Sequence, residues 1–132
     1  MNILFLLTPK AELTYLGSDF TLRQAMEKLE YHRFNVIPVI DKDGKYVDTL
    51  SEGDLLYYFR QNQIPFDLWS KIPLTEVARH RSYKPLRISA SIEDLYPLIV
   101  AQNFVPLVDD QGIFIGIITR KAVMNYLLKN RG

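Results

Sequence analysis

The chain has 132 residues, no cysteine, two histidines, and a formal net charge of +1 from 16 Lys+Arg against 15 Asp+Glu. That length holds one compact domain or two small units sharing a core. The lack of cysteine excludes disulfides, thiolate catalysis and Cys-based zinc or iron–sulfur sites, and the balanced charge gives no global field for nucleic acid or an anionic membrane.

In chain order, Ile3–Leu7 is apolar but far too short for a membrane span. With no basic start and with Pro9-Lys10 following at once, it is a poor signal peptide. A packed N-terminal segment and a cytoplasmic protein are expected. Leu13–Leu16 reads as a short strand ended by Gly17-Ser18-Asp19. Thr21-x-x-Gln24 forms a capping box, and Leu22, Ala25, Met26 and Leu29 share one face of a helix expected over 22–32.

The stretch from Asn35 to Leu56 then reads as strand, tight turn, strand and helix start. Pro38 inside Val36–Ile40 marks an edge or interrupted strand. Asp41-Lys42-Asp43-Gly44 has turn chemistry, since Asp bonds its own backbone and Gly takes positive φ. A helix from about Glu52 to Gln61 is expected to bury Leu55, Leu56 and Phe59. From Asn62 to Tyr83 the pattern weakens; the apolar Ile64, Phe66, Leu68 and Trp69 suggest a connector that packs, with a short helix at Leu74–Ala78. Leu86–Ile88 restarts the pattern as a strand.

The second half repeats the first. Ile92, Leu95, Tyr96 and Ile99 have the spacing of Leu22, Ala25, Met26 and Leu29, on a helix expected over 92–101. Beyond it, Pro38 corresponds to Pro106, Gly44 to Gly112, Asp48 to Gly116, Ser51 to Thr119 and Asp54 to Ala122. Leu55, Tyr58 and Phe59 match Val123, Tyr126 and Leu127 at that same offset. Only a two-residue insertion between helix and proline separates the copies. Two repeats are few for a solenoid, so a pseudo-twofold pair is expected, divided as 1–65 and 66–132.

Duplicated strings such as Val36-Ile37-Pro38-Val39-Ile40-Asp41, with Phe114–Arg120 closing the second copy, resemble a tandem cystathionine-β-synthase (CBS) domain pair, or Bateman module, over nearly the whole chain. The resemblance implies an α+β (α/β-like) fold of two βαββα repeats packed about a pseudo-twofold axis. It implies adenosine-containing ligands held in clefts between the repeats, and frequent dimerisation; long apolar helix faces point to helices near 52–61 and 120–129 and their neighbours as the surfaces that pair.

In that family a Gly-h-h-[ST]-x-x-Asp string holds ribose, since one carboxylate can accept both vicinal hydroxyls. The first copy carries over Ser51 and Asp54, with Asp48 in place of the glycine. The second keeps Gly116 and Thr119 but has Ala122. One ribose site of the full type per chain follows. The same Ser51-x-x-Asp54 also reads as a helix cap, and the two roles are compatible because a cap does not use every lone pair.

Arg120 and Lys121 put cations in a first helical turn, against the macrodipole, which a bound phosphate would relieve; the alternative is solvated surface charge. Lys10 and the cluster Arg79-His80-Arg81 are further phosphate candidates or surface charge. By resemblance the adenine walls are Leu13-Thr14 and Asn35, Val36, Ile37 and Pro38, which otherwise read as core and strand.

Asp41-x-Asp43-Gly44 lacks the later ligands of a calcium loop, His32 and His80 have no metal spacing, and there is no Walker loop or dinucleotide fingerprint. No nucleophile or general base is nominated. The expectation is a stand-alone, non-enzymatic regulator that binds an adenine nucleotide (AMP, ADP or ATP) with no required cofactor. It forms a homodimer and signals to a regulated protein, with neither nucleic acid nor membrane as partner. Two alternatives stand beside it: a cyclic di-AMP-binding regulator, and a ligand-free dimerisation scaffold suggested by Asp48 and Ala122.

Overall fold

The computed structural model describes residues 2–32, 36–79 and 83–130. In chain order these form β1 (Thr8–Pro9), β2 (Leu16–Gly17), α1 (Leu22–His32), β3 (Val36–Ile40), β4 (Tyr46–Ser51) and α2 (Glu52–Asn62). There follow β5 (Leu86–Arg87), α3 (Ile92–Ala101), β6 (Phe104–Val108), β7 (Phe114–Thr119) and α4 (Arg120–Lys129). Contacts divide the chain into a contiguous unit, Thr14–Ser82, and a composite unit, Met1–Leu13 with Tyr83–Gly132. The expected single cut at 65/66 therefore differs from the observed grouping. Residues 1–13 join the second repeat because β1 pairs antiparallel with β7, Thr8 opposite Ile117 and Pro9 opposite Gly116.

Each unit is built on the same hairpin. β3 pairs with β4, and β6 with β7; Pro38 lies opposite Thr49 and Pro106 opposite Ile117, with a register shift at Val39/Ile40 and again at Leu107/Val108. The prolines occupy equivalent places, as the repeat requires. Neither β3 nor β6 is an edge strand along its whole length. β2 pairs in parallel only with Val39 and Ile40, and β5 only with Leu107 and Val108, so each proline lies just short of the second neighbour. A residue without an N–H fits there. The turns match as well. Asp41 Oδ1 accepts from the amides of Asp43 and Lys45, and Asp109 Oδ1 from those of Gln111 and Ile113, all at 2.9 Å. Gly44 and Gly112 take φ of 86° and 84°, open to glycine at no steric cost.

α1 and α3 bury the expected faces: Leu22, Ala25 and Leu29 in one, Ile92, Leu95 and Ile99 in the other. Gln24 completes the expected box with Thr21, and Ser91 with Asp94 caps α3 in the same way. α2 departs from expectation: Leu55 is buried but Leu56 is 71% exposed, because adjacent helical residues point about 100° apart. The strand expected at Leu13–Leu16 is shorter and later, at Leu16–Gly17, and the restart at Leu86–Ile88 forms pairs only at Leu86–Arg87.

The connector packs. Phe66–Lys71 and Leu74–Glu76 are 3-10 turns, the latter replacing the expected helix at Leu74–Ala78. Leu22 N donates to Ile72 O at 2.9 Å and Leu74 N to Phe20 O at 2.8 Å, while Leu74 and Val77 join the contiguous unit's core. Ile3 and Leu6, on a 3-10 turn at Ile3–Leu6, join the core of the composite unit.

Two substitutions test this architecture by denaturant unfolding. A Cβ on Gly116 would lie 2.2 Å from the Thr8 carbonyl oxygen, at a φ of +153°, so Gly116→Ala is expected to cost about 3 kcal/mol through strain and displacement of β1. An unchanged midpoint would refute the close approach of β1 and β7. Leu74→Ala is expected to cost about 2–5 kcal/mol; a loss below half a kilocalorie would show the connector to be outside the core.

Candidate functional site

The candidate residues of the contiguous unit gather at one end of its sheet. Ser51 ends β4 opposite Val36, and Leu50 lies opposite Ile37. Leu16 pairs in parallel with Val39, and Thr14 precedes that pairing by two residues. Ile37 and Pro38 are buried and Thr14 half-buried; Asn35 lies outside the described residues.

Ser51 is the N-cap of α2, with extended backbone (φ −107°, ψ 159°). Its Oγ accepts from Asp54 N and Asp54 Oδ2 accepts from Ser51 N, each at 3.0 Å. The capping reading of this string is thus realised in full. Asp54 is only 3% exposed, so its carboxylate is held in one orientation at the point where the helix's unpaired N–H groups begin.

Asp48, which replaces the family's glycine, is provided for. Its Oδ1 accepts from Thr49 N at 2.8 Å, and its Oδ2 lies 3.9 Å from Arg79 Nε, a pair whose side chains are mostly buried. Arg79 also donates from Nη1 to the Val77 carbonyl. Among the described residues Arg79 Nε has no hydrogen-bond partner, so its interaction with Asp48 is a charge pairing rather than a formed hydrogen bond. Arg79 thereby answers the carboxylate; His80 and Arg81, named with it, lie outside the described residues.

The composite unit holds Lys10, Thr119, Arg120 and Lys121. Thr119 caps α4 by accepting from Ala122 N at 3.1 Å, with no carboxylate to reciprocate. Lys10 is half-buried in a 3-10 turn, Lys10–Glu12, and Lys121 is exposed. Arg120 has a partner that the sequence did not suggest. Its Nε donates to Ile99 O at 2.8 Å, Nη2 to Val100 O at 2.9 Å and Nη1 to Asn103 Oδ1 at 3.1 Å. A cation unfavourably placed at the start of α4 thus lies favourably at the end of α3.

Sequence reasoning also missed Tyr83 and Gln102. Both lie in the composite unit, bonded or packed against residues beside β5 and β6. Gln102 Nε2 donates to the carbonyls of Lys84 and Phe104, and Lys84 N returns a bond to its Oε1 at 2.8 Å. Tyr83 packs its ring 5.0 Å from that of Phe104, and its hydroxyl accepts from Asn103 N. The one signal in the sequence was an amide at 102 beside an apolar strand.

Among the described residues no group of His, Asp or Glu is placed to hold a metal ion, and no helix is long and apolar enough to cross a membrane.

Comparison with known proteins agrees with this geometry. A CBS domain-containing protein of Dictyostelium discoideum is 25% identical, over 98% of this chain and 94% of its own length. The solved structure of CbpB in complex with c-di-AMP has a TM-score of 0.88 and 26% identity, covering 98% of this chain and 85% of that one. That of CBSX2 in complex with AMP has a TM-score of 0.74 and 26% identity, covering 97% and 96%. The CBS domain model matches twice, at residues 7–61 and 74–129, and with both copies of the proline-marked hairpin and its capped helix in place, the chain belongs to the CBS domain family as a two-repeat protein.

Proposed function

We propose that this protein is a non-catalytic regulator that binds an adenine nucleotide through Ser51 and Asp54 of the contiguous unit. The observation that carries the reading is the reciprocal Ser51–Asp54 pair at the strand-to-helix junction, since it fixes a carboxylate beside outward-facing helix N–H groups. Ligands in structurally similar proteins, c-di-AMP in CbpB and AMP in CBSX2, support the ligand class. Ala122, which leaves the Thr119 cap without a reciprocating carboxylate, argues for one full site per chain.

Thr14, Ile37 and Pro38 of the same unit are the walls offered to the base. Occupancy is read out as a population shift, limited by the ligand's differential affinity for two states. A homodimer formed through the exposed helix faces passes it to a regulated protein.

The chemistry separates two nucleotides. AMP presents both vicinal ribose hydroxyls to Asp54, whereas each ribose of c-di-AMP keeps only its 2′-hydroxyl, the 3′-oxygen being esterified. Asp54→Asn retains an oxygen acceptor for the Ser51 amide and so preserves the cap, but removes the charge. Titration calorimetry on the folded variant is expected to show AMP binding weakened about tenfold or more, at 1.5–3 kcal/mol for a bond to a charged group, and c-di-AMP binding weakened less. Undiminished affinity for both would reduce the Ser51–Asp54 pair to a cap. No binding of either nucleotide by the parent protein would favour the dimerisation scaffold instead. Ala122→Asp is expected to raise the stoichiometry toward two riboses per chain; an unchanged stoichiometry would show that the missing carboxylate is not what limits the second copy.

A further inference from the structure

The outer edge of β4 is closed differently from that of its equivalent, β7. In the composite unit β1 runs along β7, with Thr8 opposite Ile117 and Pro9 opposite Gly116. In the contiguous unit β4 ends the sheet order β2-β3-β4, and among the described residues no strand lies beyond it. An uncovered edge presents backbone N–H groups to any passing strand. Pro38 has no N–H, so its pair with Thr49 is of the non-hydrogen-bonded kind and the Thr49 amide points away from β3. The Ser51 amide, two residues on, points the same way. Both end on carboxylates, Thr49 N donating to Asp48 Oδ1 at 2.8 Å and Ser51 N to Asp54 Oδ2 at 3.0 Å.

The connector reaches this edge at the place where β1 lies in the other unit. The register that aligns Leu16 with Leu86 and Leu22 with Ile92 also aligns Thr8-Pro9 with Ala78-Arg79. Asp48 is in turn the equivalent of Gly116. The Pro9–Gly116 pair of one unit thus corresponds to Arg79–Asp48 in the other, where Nε and Oδ2 are 3.9 Å apart. Neither Ala78 nor Arg79 is in a strand, so a charge contact has replaced the backbone ladder. The Arg79 side chain is only 12% exposed, and among the described residues its buried Nε makes no hydrogen bond. A buried donor left unpaired favours a state in which water reaches it. The closed form is therefore held by one charge contact and opposed by one unmet donor.

We propose that Asp48 and Arg79 form a latch, which holds the connector from Ala78 onward as a strap against β4 and opens while the rest of the unit stays folded. Val77, buried in the core, is the fixed end of the strap. Opening breaks the ion pair but no ladder bond, which places it at the low-stability end of local motions. It uncovers the edge of β4, where an extended segment can add as a further strand.

The Arg79 guanidinium is its own reporter, because an arginine-selective dicarbonyl such as phenylglyoxal modifies it only when it leaves Asp48. Asp48→Asn keeps an oxygen acceptor for the Thr49 amide and removes the charge; Asp48→Glu keeps the charge. Modification mapped by mass spectrometry on the full chain is expected to run about tenfold or more faster at Arg79 in Asp48→Asn, and near the parent rate in Asp48→Glu. Arg23, whose side chain is 49% exposed, is the reference and is expected to react alike in all three proteins. Hydrogen exchange of α1 is expected to match the parent in both variants, which also shows that they are folded. An Arg79 rate unmoved by Asp48→Asn would overturn the latch, as would a parent Arg79 that reacts as fast as Arg23. Exchange in α1 that accelerates in step with Arg79 would overturn local opening and make the pair a contributor to the stability of the whole unit. A rise in Asp48→Glu equal to that in Asp48→Asn would overturn charge as the hold and assign it to packing around Asp48.

Discussion

The approach of the Thr8 carbonyl to Gly116 is the constraint on which the composite unit depends. No side chain fits between the two strands there, and only through that contact does β1 complete a four-stranded sheet in the order β1-β7-β6-β5. The matching position in the other unit is free of this demand and carries Asp48, which uses its carboxylate to hold the next amide and to face Arg79. This position thus separates two copies that share prolines, bulges and turns. Where one copy needs backbone proximity, the other tolerates a charge and supplies its counter-ion from the connector.

Local signals made most of the fold legible. Helical apolar spacing set α1 and α3, Asp-x-x-Gly set both turns, and a Ser or Thr before each second helix set its start. The errors came where tertiary context decides. Leu56 reads as core from composition, but it lies one residue past Leu55 on a helix with only one buried stripe. Pro38 suggested an edge or interrupted strand; β3 has neighbours on both sides only from Val39 onward, and the shortness of β2 is what accommodates the ring. The grouping of residues 1–13 with the second repeat is a long-range strand pairing that no local pattern announces.

The candidate site was legible to a similar depth. Ser51-x-x-Asp54 is visible as spacing, and its two roles use the same geometry: the cap orients the carboxylate that the ligand reading requires. What spacing cannot show is competition for a group. Arg120 looked like a phosphate ligand because its own helix disfavours it, but the carbonyls that hold it belong to another helix twenty residues away in sequence. Tyr83 and Gln102 were unremarked for the same reason, their partners being fixed by packing around β5 and β6.

The division into a contiguous and a composite unit also orders events during synthesis. Every strand of the contiguous unit, and the connector residues that close its core, are synthesised before Tyr83 is added. That unit can therefore pack while the chain is still growing. β1 meanwhile lacks its partner, because β7 is made more than a hundred residues after it. The apolar Ile3 and Leu6 ahead of it must wait unburied through the translation of more than a hundred residues, and the long loop then closed makes the composite unit the slower of the two to form.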